Sequence, residues 1–272
     1  MPTTRTSTKK TPARKPDSTK TGKAPRAKMS LAQAMKELEK AGSAQTRKTY
    51  ARHGAEEPMF GVSFAVLKEL AKKIDVDHEL ALALWDTGNF DARNLAVKIV
   101  DPARMSSADL DKWARETSTS RMCGGYVGML AGEGPHAAKK LESWLGAKDA
   151  KLRAAGRALL GFLAQRDETM PDAYFEKKLA EIEKTIHTAP NGDREGMNMG
   201  VILIGLRNAN LRKAATAAAK RIGKVEIDHG DTDCKTPDAA EYIEKTWAHA
   251  TSKKFDSPAA LERTRETPRR RC

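Results

Sequence analysis

The sequence predicts an all-α fold arranged as an α-solenoid. In segment after segment, apolar residues recur at intervals of three and four, which places them on one face of a helix. Short breakers rich in Gly, Pro, Asn and Asp separate these segments, and the sequence shows no convincing alternating pattern of a β-strand. Of the 272 residues, 39% are hydrophobic, which is enough for a sizeable core.

The first helix is marked at its start and along its buried face. Ser30 and Gln33 have the spacing of a capping box, and Leu31, Met35 and Leu38 share one helical face. Further helices are predicted to start near residues 43, 63, 77, 89, 106, 119, 134, 149, 171, 194, 209 and 236. The clearest apolar stripes are Phe175, Leu179, Ile182, Ile186 and then Leu211, Ala215, Ala218, Ile222.

The spacing of these helices indicates a repeat architecture. Two successive helices occupy roughly 30 to 45 residues, a period typical of stacked helical pairs. Two arrangements compete: a curved single domain of HEAT-like antiparallel helix pairs, and a closed helical bundle. The even run of short helices favours the solenoid, whose concave face would be the binding surface.

Most of the positive charge lies at the two ends of the chain. Of the formal +13, residues 1–28 carry +8 and residues 261–272 carry +3, which leaves +2 for residues 29–260. Because residues 1–28 hold Met1 as their one large apolar residue, we predict a disordered basic tail there. It is either a solubilising leader or a nonspecific tether to polyanions. The helical repeat domain is predicted over 29–260, and a disordered Arg-rich tail over 261–272.

Several protein classes are excluded by what the sequence lacks. No apolar run approaches the roughly 20 residues that span a bilayer. The three cysteines are odd in number and lack CxxC spacing, and no apolar segment follows the basic start, so we predict a cytoplasmic, nucleoid-associated protein. GxGxxG, GxxxxGK[ST], HExxH and GxSxG motifs are absent, and no histidine has metal-ligand spacing with a cysteine. We expect neither a cofactor nor a metal.

The densest polar cluster runs from Asp228 to Cys234. A histidine, His229, with carboxylates and a thiol nearby would suit a metal or a polar site. The competing interpretation is a set of Asx turns between two helices, with Thr236 as the N-cap and Pro237 at the first helical position.

Arginine and tryptophan supply the candidates for nucleic-acid contact. Arg153 and Arg157 stand one turn apart on the helix predicted over 149–166, where they either meet phosphates or form ordinary surface pairs. Tryptophans in a cleft can stack on bases, but packing in the core is the default for most of them. They are Trp85, Trp113, Trp144 and Trp247.

Four segments together resemble the DNA alkylation repair enzyme family of AlkD-like glycosylases. They are Tyr50-Ala51-Arg52-His53-Gly54, Phe60-Gly61-Val62-Ser63, Leu84-Trp85-Asp86-Thr87-Gly88 and Asp91-Ala92-Arg93-Asn94-Leu95-Ala96. The resemblance covers about residues 30–225. It implies a HEAT-like solenoid whose basic concave groove holds duplex DNA and hydrolyses the glycosidic bond of N3- or N7-alkylated purines without a metal. It also implies an Asp near the anomeric carbon and aromatic side chains against the deoxyribose.

The sequence departs from this family at the catalytic positions. The W-x-x-x-D segment of catalytic members falls on Ser120 to Gly124, so both the aromatic and the carboxylate are missing, and Ile204 replaces a second aromatic. Arg153 matches an arginine of the family. A lost carboxylate removes about 3 to 4 kcal/mol of transition-state stabilisation, or two to three decades in rate. The candidate substitutes are Asp111, Tyr126 and Asp228.

Two functions therefore compete. The first is a DNA-binding protein that acts as a 3-methyladenine or 7-methylguanine glycosylase if another residue replaces the Asp. The second is a noncatalytic scaffold that recognises damaged or branched DNA, or a protein surface. For either DNA-binding function, we expect the protein to be a monomer that binds duplex DNA, whether or not the DNA is alkylated. The expected phosphate contacts are Arg93, Arg121, Arg153, Arg157 and Arg207, with Lys98 and Arg194 as secondary candidates.

Overall fold

The computed structural model describes residues 28–117 and 121–271, with side chains from residue 125 onward in the second range. The basic segment 1–28 lies outside these ranges except for Lys28, and Ser120 lies outside them as well. The described helices are α1 (Leu31–Ala41), α2 (Ala44–Arg52), α3 (Phe64–Ile74), α4 (His78–Asp86), α5 (Phe90–Ile99), α6 (Ser107–Glu116), α7 (Arg121–Glu133), α8 (Ala137–Leu145), α9 (Ala150–Arg166), α10 (Asp172–Thr185), α11 (Asn191–Gly205), α12 (Ala209–Ile222), α13 (Ala239–Ser252), α14 (Pro258–Arg263) and α15 (Pro268–Arg271), with a 3₁₀ helix at Pro102–Arg104.

These helices stack in two layers. Helices α3, α5, α7, α9, α11 and α13 form an inner layer in which each packs on the next, and α4, α6, α8, α10 and α12 alternate with them as an outer layer. This sequential stacking is the contact pattern of a curved solenoid and not of a closed bundle. Among the described helices, none combines the length and apolar character required to cross a lipid bilayer.

Most helices start where the sequence predicts. The capping box of Ser30 and Gln33 is formed, and the side chains of Ser43, Ser63 and Asn89 cap α2, α3 and α5. The prediction for α13 is wrong by two residues, because Asp238 accepts from the Glu241 N–H and caps that helix. The hydroxyl of the predicted cap, Thr236, instead contacts the His229 ring at 3.0 Å.

The tryptophans belong to the core, as the default interpretation predicts. All four are at most 5% exposed. The rings of Trp85 and Trp113 stack in parallel, with centroids 4.1 Å apart, and join the outer-layer helices α4 and α6. The glycine-rich helix α7 packs tightly on α9. At Gly128 the two helices are so close that a Cβ would overlap the carbonyl oxygen of Ala155.

One buried carboxylate explains the motif that precedes α3. Asp91 is fully buried and accepts the main-chain N–H groups of Phe60, Gly61 and Val62 at 2.6, 3.0 and 2.8 Å. These bonds fix the loop before α3 against the start of α5. The Asp91 segment and the Phe60 segment are therefore structural parts of the repeat.

The prediction of a disordered tail over 261–272 is wrong for residues 261–271. Residues 257–271, which we call the C-terminal strap, run along the C-terminal ends of the inner helices. The Ala259 N–H donates to Leu206 O at the end of α11, and Arg263 donates to Gln165 O at the end of α9. The boundary predicted at residue 260 therefore falls inside a helix, α14.

The far end of the strap is the most deeply buried. Arg269 is 3% exposed and donates to Val97 O in the last turn of α5, while Lys98 Nζ donates back to Arg269 O at 2.9 Å. Carbonyls at the C-terminal end of a helix lack partners within the helix and carry partial negative charge. The arginines that suggested disorder are thus the groups that bind the strap to the helix ends.

Candidate nucleic-acid interface

A groove of about 830 Å³ lies on the inner-layer helices, along the whole length of α9 and α11. Helices α7 and α13 contribute its sides, and the C-terminal strap closes the end at which α9 and α11 terminate. Six Lys or Arg side chains and three carboxylates line it, so the groove has a net positive charge although residues 29–260 are nearly neutral.

An arginine pair around one carboxylate forms the first end of the groove. Asp193, in the first turn of α11, is 7% exposed and accepts from Arg153 Nη2 at 2.9 Å and from Arg157 Nη1 at 2.6 Å. Arg153 also donates to Lys148 O, in the turn before α9. Burial lowers the pKa of Arg157, which Asp193 opposes, and the guanidinium stays charged because its ordinary pKa is so high. Two cations against one carboxylate leave this end positive.

The strap supplies the second end of the groove. Arg166 Nη2, at the end of α9, donates to the carbonyls of Glu262, Arg265 and Glu266. The Glu262 carboxylate is held by Arg166 and by Arg271 Nη2, at 3.1 and 3.0 Å. Arg265 lines the groove and its side chain is exposed.

The floor between the two ends is apolar. Phe162 of α9, Met199 and Leu203 of α11 and Met129 of α7 line it. Met199 is 40% exposed, which is unusual for a large apolar side chain in this protein. The groove thus carries cations at its ends and an apolar surface between them.

Two predicted phosphate contacts are structural arginines. Arg207 is 7% exposed, and its guanidinium donates to Ala164 O, Asp167 O and Met170 O at 3.0, 2.6 and 2.8 Å around the end of α9. Arg93 donates to Glu116 O at 2.7 Å, and its guanidinium lies over the Trp85 ring. Because these donors are used on main-chain carbonyls and neither residue lines the groove, we withdraw both residues as phosphate contacts.

The secondary candidates also face away from the groove. Lys98 is fully buried under the strap, and Arg194 donates to Glu226 O in the loop that follows α12. Arg121 starts α7, where side chains are not described before residue 125. Of the predicted arginines, the structure brings Arg153 and Arg157 together in the groove.

The three candidate catalytic residues lie apart from one another. Asp111, on α6, accepts from Lys140 Nζ and from Trp144 Nε1, both at 2.7 Å, and so joins α6 to α8. Burial raises the pKa of Asp111, but these two hydrogen bonds outweigh it and hold the pKa below its ordinary value. The Tyr126 ring packs against Phe64, at a centroid distance of 6.5 Å. None of the three lines the groove.

Asp228 belongs to a turn and not to a metal site. Its carboxylate accepts from the Gly230 N–H at 2.8 Å, and its main chain exchanges two hydrogen bonds with the Asn191 side chain. This is the Asx turn of the second sequence interpretation. In the part of the chain that the structure describes, no three His, Cys, Asp or Glu side chains gather as a metal site would require.

At the two family positions the sequence has neither an aromatic residue nor a carboxylate. Gly124 lies in α7 and has no side-chain carboxylate to offer, while Ser120 is outside the described residues. Ile204 is fully buried in the core, so it cannot contact a ligand. The sequence analysis missed Asp193, Arg166 and the strap. Asp193 could have been found, because an acidic residue in the first turn of a helix is favoured by the helix dipole.

Comparisons with known proteins agree with this architecture. The family model described as DNA alkylation repair enzyme matches residues 34–243. The uncharacterized proteins Lmo0209 of Listeria monocytogenes and Lin0241 of Listeria innocua are each 27% identical over 216 residues, which cover 77% of this chain and 93% of each relative.

A solved structure gives the same result in three dimensions. It is described as belonging to a new family of proteins related to the HEAT-like repeat DNA glycosylases, with affinity for branched DNA structures. It superposes with a TM-score of 0.74 at 29% identity, covering 85% of this chain and 98% of its own. The fold is therefore the HEAT-like helical repeat that the sequence predicts, and the chain belongs to the DNA alkylation repair enzyme family.

Proposed function

We propose that this protein binds DNA, branched DNA included, in the concave groove and does not hydrolyse glycosidic bonds. The observation that carries the proposal is the pairing of two carboxylates in the groove. Asp193 and Glu262 are each ion-paired with two arginines, so the groove offers cations to phosphates but holds these two carboxylates in neutralised form. By the same proposal the protein acts as a monomer on nucleoid DNA in the cytoplasm.

The loss of hydrolysis follows from electrostatics. Cleavage of an alkylated nucleoside develops positive charge on the sugar, which a nearby free carboxylate stabilises. Gly124 stands where the family has that carboxylate, and the two guanidiniums on Asp193 would oppose a third positive charge. The expected deficit is about 3 to 4 kcal/mol, or two to three decades in rate.

The affinity for branched DNA is supported by similarity to the solved relative, whose described property it is. Duplex arms would place their phosphates near the cationic ends of the groove. Because contacts to phosphates release counterions, such binding must weaken steeply with salt.

The binding experiment compares the full chain with two variants. A fluorescently labelled three-way junction and a duplex of the same length are titrated at several salt concentrations. Arg153→Ala should weaken binding several-fold and reduce the salt slope by about 1, since one groove cation is lost. Lys213→Ala, an exposed cation on the outer-layer helix α12, serves as the matched control and should bind like the wild type. Absence of binding to both DNAs at low salt would overturn the proposal.

A second candidate function is an alkylpurine DNA glycosylase. Family membership and the place of Arg153 in the groove favour it. A cationic alkylated base is, in addition, already a good leaving group. The deciding experiment measures base release from a methylated duplex with the full chain in excess, beside a heat-inactivated control. We expect release at the spontaneous rate. Faster release that Asp193→Asn abolishes would establish the glycosylase instead.

A further inference from the structure

We propose that the C-terminal strap makes the groove a site for unpaired DNA, with Arg265 as the strap residue that contacts phosphate. This inference rests on the proposed function. It specifies which part of a branched DNA the groove holds. The matched family region ends at residue 243, so the strap lies beyond the residues by which the family is recognised.

The strap is a fixed wall of the groove. Its anchor, Arg269, forms a bidentate pair with Glu133 at 2.9 and 2.8 Å, and the two side chains are 3% and 18% exposed. Arg166 at the end of α9 donates to three strap carbonyls, those of Glu262, Arg265 and Glu266. A wall held at both places keeps its shape when a ligand enters, which lowers the entropy lost on binding.

One strap cation is available to a ligand. Within the described part of the chain, the Arg265 guanidinium makes no hydrogen bond or ion pair, and it lines the groove. Its neighbours differ, because Arg271 pairs with Glu262 and Arg263 pairs with Glu168. Arg265 is therefore the strap residue whose charge is not already matched by a carboxylate.

The layout of the groove fits a short unpaired segment. Arg153 and Arg166 stand 13 residues apart on α9, which is about 20 Å at 1.5 Å per residue. Between these cationic ends lies the apolar floor of Phe162, Met199 and Leu203. Single-strand binding sites combine cations along the backbone with apolar or aromatic surface under the bases.

A continuous duplex does not match this layout. Its bases are stacked and paired in the interior, so the apolar floor would face phosphates and sugars. Unpaired bases at a branch point can turn toward Met199 while their phosphates reach Arg265 and Arg153. A volume of about 830 Å³ is in the range of pockets that enclose small organic groups, which limits the site to a few nucleotides.

The test uses three labelled DNAs: a fork with one unpaired arm, the same sequence fully paired, and the unpaired strand alone. Full-length wild type, Arg265→Ala and the control Lys213→Ala are titrated against each at one salt concentration. We expect Arg265→Ala to weaken binding to the fork and to the single strand by about 3- to 10-fold and to change duplex binding less than about twofold. Lys213→Ala should leave all three unchanged.

A second variant tests the floor. Met199→Glu places a negative charge under the expected bases, and it should weaken fork binding at least as much as Arg265→Ala does. Photo-crosslinking of a thio-substituted base in the unpaired arm should label peptides from α11 or the strap.

The outcomes separate the two proposals. If the wild type binds fork and duplex but Arg265→Ala weakens both equally or neither, the strap inference is wrong and the proposed function stands. If the wild type binds none of the three DNAs, the proposed function fails, and the strap inference fails with it.

Discussion

Arg269 and Glu133 form a two-point ion pair that fastens the C-terminal strap to the last residue of α7, with Nε–Oε1 and Nη2–Oε2 distances of 2.9 and 2.8 Å. The third nitrogen of the guanidinium, Nη1, donates to Val97 O. Thr267 adds a hydroxyl donor to the same carboxylate. An arginine near the end of the chain is thus bound to two inner helices, α5 and α7.

Removing Arg269 should therefore destabilise the whole domain. Arg269→Ala leaves the largely buried Glu133 carboxylate without its ion-pair partner, which typically costs about 3 to 5 kcal/mol of unfolding free energy. Arg270→Ala is the matched control, since its partners Asp75 and Glu266 are largely exposed and such pairs contribute at most about 1 kcal/mol. Urea unfolding followed by circular dichroism measures both. Equal midpoints for the two variants would show that the strap is not fastened as described.

The Asp91 carboxylate should be equally important to the first repeats. Asp91→Asn keeps one acceptor oxygen for three main-chain N–H groups, two of them in buried hydrogen bonds, so about 2 to 4 kcal/mol of unfolding free energy should be lost. Asp86→Asn, which removes one exposed pair with Lys112, should cost less than about 1 kcal/mol.

An optical titration checks the Asp91 prediction independently. Burial, and then the Asp91 charge, raise the pKa of Tyr50 to about 12. Removing that charge should lower the Tyr50 pKa in an absorbance titration of the folded variant. A Tyr50 pKa that stays at its wild-type value would show that the Asp91 charge does not act on the Tyr50 hydroxyl.

The pH dependence of stability should reveal the Asp111 contact. Hydrogen bonds from Lys140 and Trp144 hold the pKa of Asp111 below its ordinary value despite burial. A carboxylate with a lowered folded pKa stabilises the protein above its unfolded pKa of about 3.9, and this contribution is lost as the pH falls through the folded pKa. The stability difference between wild type and Asp111→Asn should thus be largest at neutral pH and shrink below about pH 4. Asp256→Asn, in an exposed turn, should follow the wild type throughout.

Local signals made the helix starts predictable. Ser30 and Ser63 cap their own helices through the N–H groups three residues ahead, so residue type and spacing carry the information. In α7, Gly128 likewise permits the close approach of α9, because it has no Cβ to overlap the Ala155 carbonyl oxygen. A helix cap is predictable because its hydrogen-bond partner lies within a few residues, and close helix packing is predictable because the residue at the contact is small.

The partners of the arginines are distant in sequence, and this is why their roles could not be predicted. Arg153 and Arg207 cannot be told apart by residue type. In the structure Arg153 pairs with a carboxylate in the groove, whereas Arg207 donates to main-chain carbonyls at the end of α9. Arg269 finds its acceptor Val97 O across 172 positions. Whether an arginine serves the fold or a ligand depends on the tertiary fold, which composition and periodicity do not specify.

The basic segment 1–28 should act as a tether on DNA. Its nine Lys and Arg residues can each release a counterion on contact with phosphates, so deleting the segment should weaken nonspecific duplex binding and reduce the salt slope by up to about 8. A chain in which the nine are replaced by Ser keeps the length but not the charge, and it should behave like the deletion. An unchanged slope in both would show that the segment does not contact DNA.

Two glycines on the same helix, α7, should respond to alanine in opposite directions. A Cβ at Gly128 would overlap the Ala155 carbonyl oxygen, so α7 and α9 must separate, and Gly128→Ala should lower the unfolding free energy by about 1 to 3 kcal/mol. A Cβ at Gly125 meets no atom within 4 Å and gains helix propensity, so Gly125→Ala should raise it by about 0.5 to 1 kcal/mol. Because both variants make the same change in composition and in the unfolded chain, opposite shifts in urea midpoint would isolate the α7–α9 contact that forms one side of the groove. Stabilisation by both would mean that α7 does not approach α9 so closely.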